Sequence, residues 1–182
     1  MKIQATAIPE IVLIRPRVFE DARGYFLESW NQREFATAGL TASFVQDNLT
    51  RSCRGALRGL HYQIRHAQGK LVQAVTGQIF DVVVDLRASS PTFGRWVGTK
   101  LSAETHDMLW IPPGFAHGFF VQSEMAEVLY KATDFYSPEN ERTIRWNDPE
   151  LGIEWPLPEG LEPLLSAKDQ QAPGFREVEH FP

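Results

Sequence analysis

Several things this sequence lacks narrow what it can be. Cys53 is its only cysteine, so no internal disulfide can form, and a reducing compartment is expected. No activating neighbour marks Cys53 as a nucleophile, and it reads as a spectator thiol. The apolar run from Ile79 to Leu86 is broken by Asp81 and Asp85, far short of the roughly 20 residues a membrane helix needs. Basic charge is also scarce: 18 Lys and Arg against 23 Asp and Glu leave a net charge of −5, which argues against a nucleic-acid partner. The opening, Met1-Lys2-Ile3-Gln4-Ala5-Thr6 followed by Pro9 and Glu10, has no apolar stretch for a secretion signal, so a cytoplasmic protein without membrane attachment is expected. Repeats, low-complexity stretches and linkers are missing too.

What remains is ordinary globular composition, 43% hydrophobic and 23% charged over 182 residues, enough for one domain spanning 1–182 with a continuous core. Alternation of period two in Phe80, Val82, Val84 and Leu86, with Asp81 and Asp85 facing the other way, predicts a strand. Lys70 to Val75 predicts another, joined to it by a turn at Thr76-Gly77. Further strands are expected at Trp96 to Leu101, Leu109 to Ile111, Gly118 to Gln122 and Ala126 to Thr133, a spacing that points to an all-β sandwich or barrel. One peripheral helix is expected, capped by Asn31, with Glu34 three residues on and Gly39 as its stop. Ser166-Ala167-Lys168-Asp169 falls in a loop or a short helix returning to the body.

Chemistry-bearing residues concentrate in Arg58-Gly59-Leu60-His61-Tyr62-Gln63 and Gln68-Gly69-Lys70. In a regular strand Arg58 and His61 would face opposite sides, although a bulge at a glycine would re-aim them. A second histidine, His117, follows the turn Ile111-Pro112-Pro113-Gly114 and is itself flanked by Gly118. Taken singly, each has an unremarkable reading: a histidine satisfying one hydrogen bond, a solvated Lys70, a strand aromatic in Tyr130, a surface charge in Asp169.

Together with Asp21-Ala22-Arg23-Gly24-Tyr25-Phe26-Leu27-Glu28, Phe44-Val45-Gln46-Asp47-Asn48, Ser90-Pro91-Thr92-Phe93-Gly94, Tyr130-Lys131-Ala132-Thr133-Asp134-Phe135-Tyr136-Ser137-Pro138-Glu139 and the Ser166 to Asp169 segment, these motifs cover nearly the whole chain. In that order they resemble the dTDP-4-dehydrorhamnose 3,5-epimerases, cupin-type jelly rolls that invert carbons 3 and 5 of dTDP-4-dehydro-6-deoxy-D-glucose on the way to dTDP-L-rhamnose. The resemblance implies His61 as general base, Asp169 as the carboxylate that orients it, Tyr130 as proton donor on the other face of the sugar and Lys70 beside the ketone oxygen. It implies that Tyr136 stacks on the thymine ring. Arg23, Glu28, Gln46, Asn48, Arg58, His117, Glu141 and Lys168 match substrate-binding positions, where arginine suits a diphosphate through its planar fork. No metal and no cofactor are implied. A homodimer is, with the strand around Arg23 and Glu28 reaching into the partner's site.

One departure stands out: Leu49-Thr50 replaces the His and Ser common among relatives, which touches sugar detail or the choice of carbon inverted. Three other readings compete with a 3,5-epimerase: a single-carbon epimerase of a related sugar nucleotide, a metal-binding cupin and a sugar-binding module. Metal-binding cupins pair two histidines one residue apart, whereas His61 is followed by Tyr62 and Gln63, which removes one ligand. A pure binding module needs neither base nor donor.

Overall fold

In the computed structural model, which describes Met1–Pro182, thirteen strands and two short helices follow one another along the chain. They are β1 (Lys2–Ala5), β2 (Val12–Arg15), β3 (Val18–Asp21), β4 (Gly24–Leu27), α1 (Gln32–Thr37), β5 (Gln46–Cys53), β6 (Leu57–Gln63), β7 (Lys70–Thr76), β8 (Gln78–Asp85), β9 (Trp96–Ser102), β10 (Met108–Ile111), β11 (Phe115–Val121), β12 (Met125–Ala132), β13 (Glu141–Thr143) and α2 (Ala167–Gln170). A six-stranded antiparallel sheet runs β1-β2-β10-β7-β12-β5, and a five-stranded one runs β13-β6-β11-β8-β9. The expected all-β jelly roll is therefore present as two packed sheets, and β3 pairs only with β4 in a separate hairpin.

Between the sheets lies a core to which both contribute: Leu13, Val72, Ala74, Leu109, Ile111, Ala126 and Val128 from one, and Ile79, Val83, Val97, Leu101, Phe115, Phe119 and Val121 from the other. The five-stranded sheet is buried on its outer side as well. There Leu60, Tyr62, Val82, Val84, Leu86 and Ala116 pack under Ile144, Leu151 and Phe175 of the segment that follows β13. This double burial explains the nearly unbroken apolar run of β8, since alternation against solvent vanishes when both faces meet hydrocarbon. It also places Asp81 and Asp85 inside the protein, both fully buried. The side opposite Val82 and Val84 is the inter-sheet space, not water.

The other sheet is capped by α1. Asn31 closes its first turn by accepting hydrogen bonds from the backbone N–H groups of Arg33 and Glu34, and Gly39 at φ +87° ends it, as the capping signals predict. Phe35 is its one buried residue, seated against Trp30. Strands β1 to β5 and β13 were not expected. They are short, exposed or polar, with β5 alternating half-buried and exposed along Gln46–Arg51 before a buried Ser52, so they carry little of the apolar signal by which a strand is read.

Candidate active site

The cavity continues the inter-sheet core, and period two explains who lines it. On β7, Lys70 shares the inward row with Val72 and Ala74; on β12, Tyr130 shares one with Ala126 and Val128 and packs against the core. His117 lies in the inward row of β11 with Phe115 and Phe119, and Gln46, Asn48 and Thr50 are the half-buried members of β5. An outer chamber of about 280 Å³ is lined by Gln46, Asn48, His61, Lys70, Tyr130, Tyr136 and Glu141 among others. An inner one of about 110 Å³ is bounded by Thr50, Arg58, His61, Lys70, His117 and Tyr130. His61, Lys70 and Tyr130 belong to both.

The facing left open by the sequence is settled by a register shift. His117 on β11 pairs with His61, yet Phe119, two residues on, pairs with Arg58, three residues back on β6. The extra residue re-phases β6, so Arg58 and His61 both turn inward while Leu60 and Tyr62 pack outside. Such a bulge re-aims side chains beside a site. It needs glycine twice: Gly59 adopts φ +119°, a Cβ there would sit 2.6 Å from the Gly118 Cα, and a Cβ on Gly118 would sit 2.6 Å from the Arg58 carbonyl oxygen.

His61 Nε2 lies 2.6 Å from Asp169 Oδ1, the imidazole being 27% exposed and the carboxylate 2%. Asp169 belongs to the single turn of α2, where Ser166 acts twice. Its Oγ accepts from the Asp169 backbone N–H at 3.2 Å and donates to Asp169 Oδ2 at 2.8 Å. Burial pushes the His61 pKa down, against the opposing pull of Asp169, so the imidazole is neutral and able to accept a proton near pH 7. Burial works to raise the Asp169 pKa, but its hydrogen bonds with His61 and Ser166 and the nearby Lys168 charge outweigh that and hold it low.

Lys70 is pushed down to about 8 by burial, with the charges of Asp81 and Glu141 opposing. Burial also raises the Tyr130 phenol, which Arg58 partly offsets. Arg58 donates from Nε to Ser52 Oγ at 2.9 Å. At the mouth, Glu141 accepts from the exposed Tyr136 hydroxyl at 3.0 Å and pairs with Lys168 Nζ at 2.8 Å, while Gln46 bonds both Asn48 and the Tyr136 backbone N–H.

Two residues singled out in the sequence lie apart. Arg23 forms its ion pair with neighbouring Asp21, and Glu28 accepts from Asn31; neither lines the cavity of this chain. Of the unusual pair, Leu49 points outward at 64% exposure, and only Thr50 reaches the inner chamber. Sequence reasoning gave no role to Gln68, which lines the outer chamber, and it missed Asp81, whose Oδ2 lies 2.8 Å from His117 Nε2. A charge embedded in an apolar strand was the available signal for Asp81.

With this geometry in view, the comparisons with known proteins fall into place. The family model described as dTDP-4-dehydrorhamnose 3,5-epimerase matches residues 5–177. The enzyme of that name from Pseudomonas aeruginosa is 62% identical over 183 residues, spanning all of both chains, and the one from Shigella flexneri 52% identical over 100% of this chain and 99% of its own. Among solved structures, the Legionella pneumophila dTDP-6-deoxy-D-glucose-3,5-epimerase in complex with dTDP-4-keto-L-rhamnose superposes with a TM-score of 0.94 at 49% identity, covering 98% of this chain and 94% of that one. A 3'-monoepimerase from Streptomyces bikiniensis in complex with dTDP-quinovose superposes at 0.86 with 35% identity, covering 93% and 86%. The chain belongs to the dTDP-4-dehydrorhamnose 3,5-epimerase family, and so to the isomerases.

Proposed function

We propose that this chain, acting as one domain over residues 1–182, inverts carbons 3 and 5 of dTDP-4-dehydro-6-deoxy-D-glucose by moving protons. The observation that carries this reading is that His61 and Tyr130 face one cavity from opposite sheets. Inversion requires a proton to leave one face of the sugar and return to the other, which two groups on opposing walls can do. His61 donates its Nε2–H to Asp169, so Nδ1 carries the lone pair that takes the proton alpha to the ketone. Negative charge then gathers on the ketone oxygen, where the Lys70 ammonium stabilises it. Tyr130 returns a proton from the other side. Arg58 holds the diphosphate, Tyr136 stacks on the base, and Gln46, Asn48, His117, Glu141 and Lys168 bind the rest.

The test is proton NMR of the 4-keto sugar nucleotide in heavy water, reading label and configuration separately. His61→Ala should abolish exchange at both carbons. Tyr130→Phe should keep exchange while inversion falls away, because the enolate still forms and is reprotonated from the side it left. If Tyr130→Phe loses exchange as fully as His61→Ala, the two roles are wrongly assigned. The same spectra address the second reading that the Streptomyces bikiniensis monoepimerase raises: label at one carbon alone would make this a single-carbon epimerase. The chemistry uses side-chain acids and bases only, so a strong chelator should leave the rate unchanged.

A homodimer completes the proposal. The hairpin β3–β4 hydrogen-bonds to no other strand and exposes Phe19, Tyr25 and Phe26, apolar surface of the kind that marks an interface. From it, Arg23 and Glu28 would reach a second copy's site. Sedimentation should show two copies, and Arg23→Ala should weaken substrate binding. The free, exposed Cys53 fits a cytoplasmic setting.

A further inference from the structure

Asp81 is a buried charge beside the cavity for which the chemistry above has no use. It is fully buried; Oδ2 lies 2.8 Å from His117 Nε2, while Oδ1 is buried without any hydrogen-bond partner. A buried carboxylate left half satisfied is costly, and a fold keeps one only where something else requires it. Asp85, four residues on and in the same inward row of β8, shows how this chain builds a structural aspartate. It is just as buried, but its two oxygens take Arg87, Ser90 and Thr92. Asp81 has no such set.

Its surroundings point to the cavity. Asp81 and His117 sit diagonally on neighbouring strands, His117 lines the inner chamber, and the second ring nitrogen of His117 has no protein partner. Asp81 is also the foremost negative charge opposing the effect of burial on Lys70. We propose that Asp81 is a positioning residue for the reaction: it commits the Nε2–H of His117, so that Nδ1 is the atom presented to the sugar, and it supplies the counter-charge of the Lys70 and His117 wall. The ligand group served is the ketone oxygen and its neighbouring hydroxyl. A carboxylate behind an imidazole fixes the tautomer and the ring orientation together. This inference rests on the epimerase reading for its rate readout, but not for its spectroscopic one.

Nitrogen-15 NMR of the histidine rings in the wild-type protein with dTDP bound should show His117 protonated at Nε2. A bare Nε2 would overturn the proposal whatever the activity. Asp81→Asn keeps shape and removes charge. It should slow solvent exchange into the sugar on the order of 100-fold, the scale of losing one well-placed donor, with dTDP affinity unchanged within about twofold and a melting point unchanged or higher, since a buried carboxylate with one oxygen unsatisfied has gone. A lower melting point with exchange retained would make Asp81 structural and overturn it. Absence of exchange in the wild-type protein would instead sink the epimerase reading, leaving the His117 spectrum to decide this one.

Discussion

Two imidazole–carboxylate pairs meet on one rung of the five-stranded sheet, where His61 stands opposite His117, and they are built in contrary ways. The His117–Asp81 pair is local and sealed, two inward residues of adjacent strands with side chains 7% and 0% exposed. The His61–Asp169 pair joins residues 108 apart, leaves the imidazole 27% exposed, and depends on one helical turn pinned by Ser166. Sealing gives a fixed hydrogen-bonding direction. Openness gives access to a substrate proton, with the carboxylate ready to stabilise the imidazolium. The difference supports the proposed division, with proton transfer at the first histidine of the rung and fixed polarity at the second.

The largest effect should come from the open pair. His61→Ala is expected to slow exchange by roughly 100-fold to 10,000-fold, the usual worth of a general base, and Asp169→Asn by a smaller but still large factor. Rates measured by deuterium uptake that fell less for His61→Ala than for Asp81→Asn would reverse the comparison.

Next in size is the pH dependence of kcat/KM. Activity should rise as His61 loses its proton, with an acidic limb below the ordinary histidine value because burial lowers its pKa. It should fall again as Lys70 loses its proton at about 8; apparent values belong to the coupled set. In Lys70→Arg the alkaline limb should vanish, since a guanidinium stays charged. A limb that persists unmoved would assign it to another group.

A tenfold rise in KM, or thereabouts, is expected for Arg58→Ala, from loss of a charge-assisted contact to the diphosphate. Because remote binding also orients the sugar, some loss of kcat accompanies it. An unchanged KM in steady-state kinetics would remove Arg58 from the diphosphate site.

Smallest is Ser166→Ala. Losing the cap costs about 1 kcal/mol of local stability, which loosens Asp169 and should lower kcat a few-fold, with a melting shift of about 2–4 °C. Equal loss of rate and of His117 ordering in the NMR spectrum would show that the two pairs are one unit.

Sequence reading reached far for the strands with a strong alternating or apolar pattern. Lys70 to Val75, Trp96 to Leu101 and Leu109 to Ile111 fall within strands, the Phe80 row, Gly118 to Gln122 and Ala126 to Thr133 overrun theirs by one residue, and the Asn31 cap and Gly39 stop hold. It also gathered eleven of the cavity and mouth residues, through motif likeness more than through pattern. Two things escaped it for physical reasons. The inward turn of both Arg58 and His61 depends on one extra residue in β6, and a bulge has no periodic signature. The approach of Asp169 to His61 is a tertiary contact, invisible to any local rule, and Asp81 passed as a strand marker because alternation against a second core looks like alternation against water.

The separation of His61 from Asp169 also orders events in time. On a ribosome adding 5–20 residues per second, the carboxylate emerges roughly 5–20 s after the base. The strands from β6 to β12 are all synthesised before it, so His61, Lys70 and Tyr130 precede in the chain the carboxylate that partners the imidazole. Catalytic competence is thus among the last properties such a molecule acquires, because the carboxylate and Phe175, which helps cover the five-stranded sheet, both follow the cavity strands in the chain.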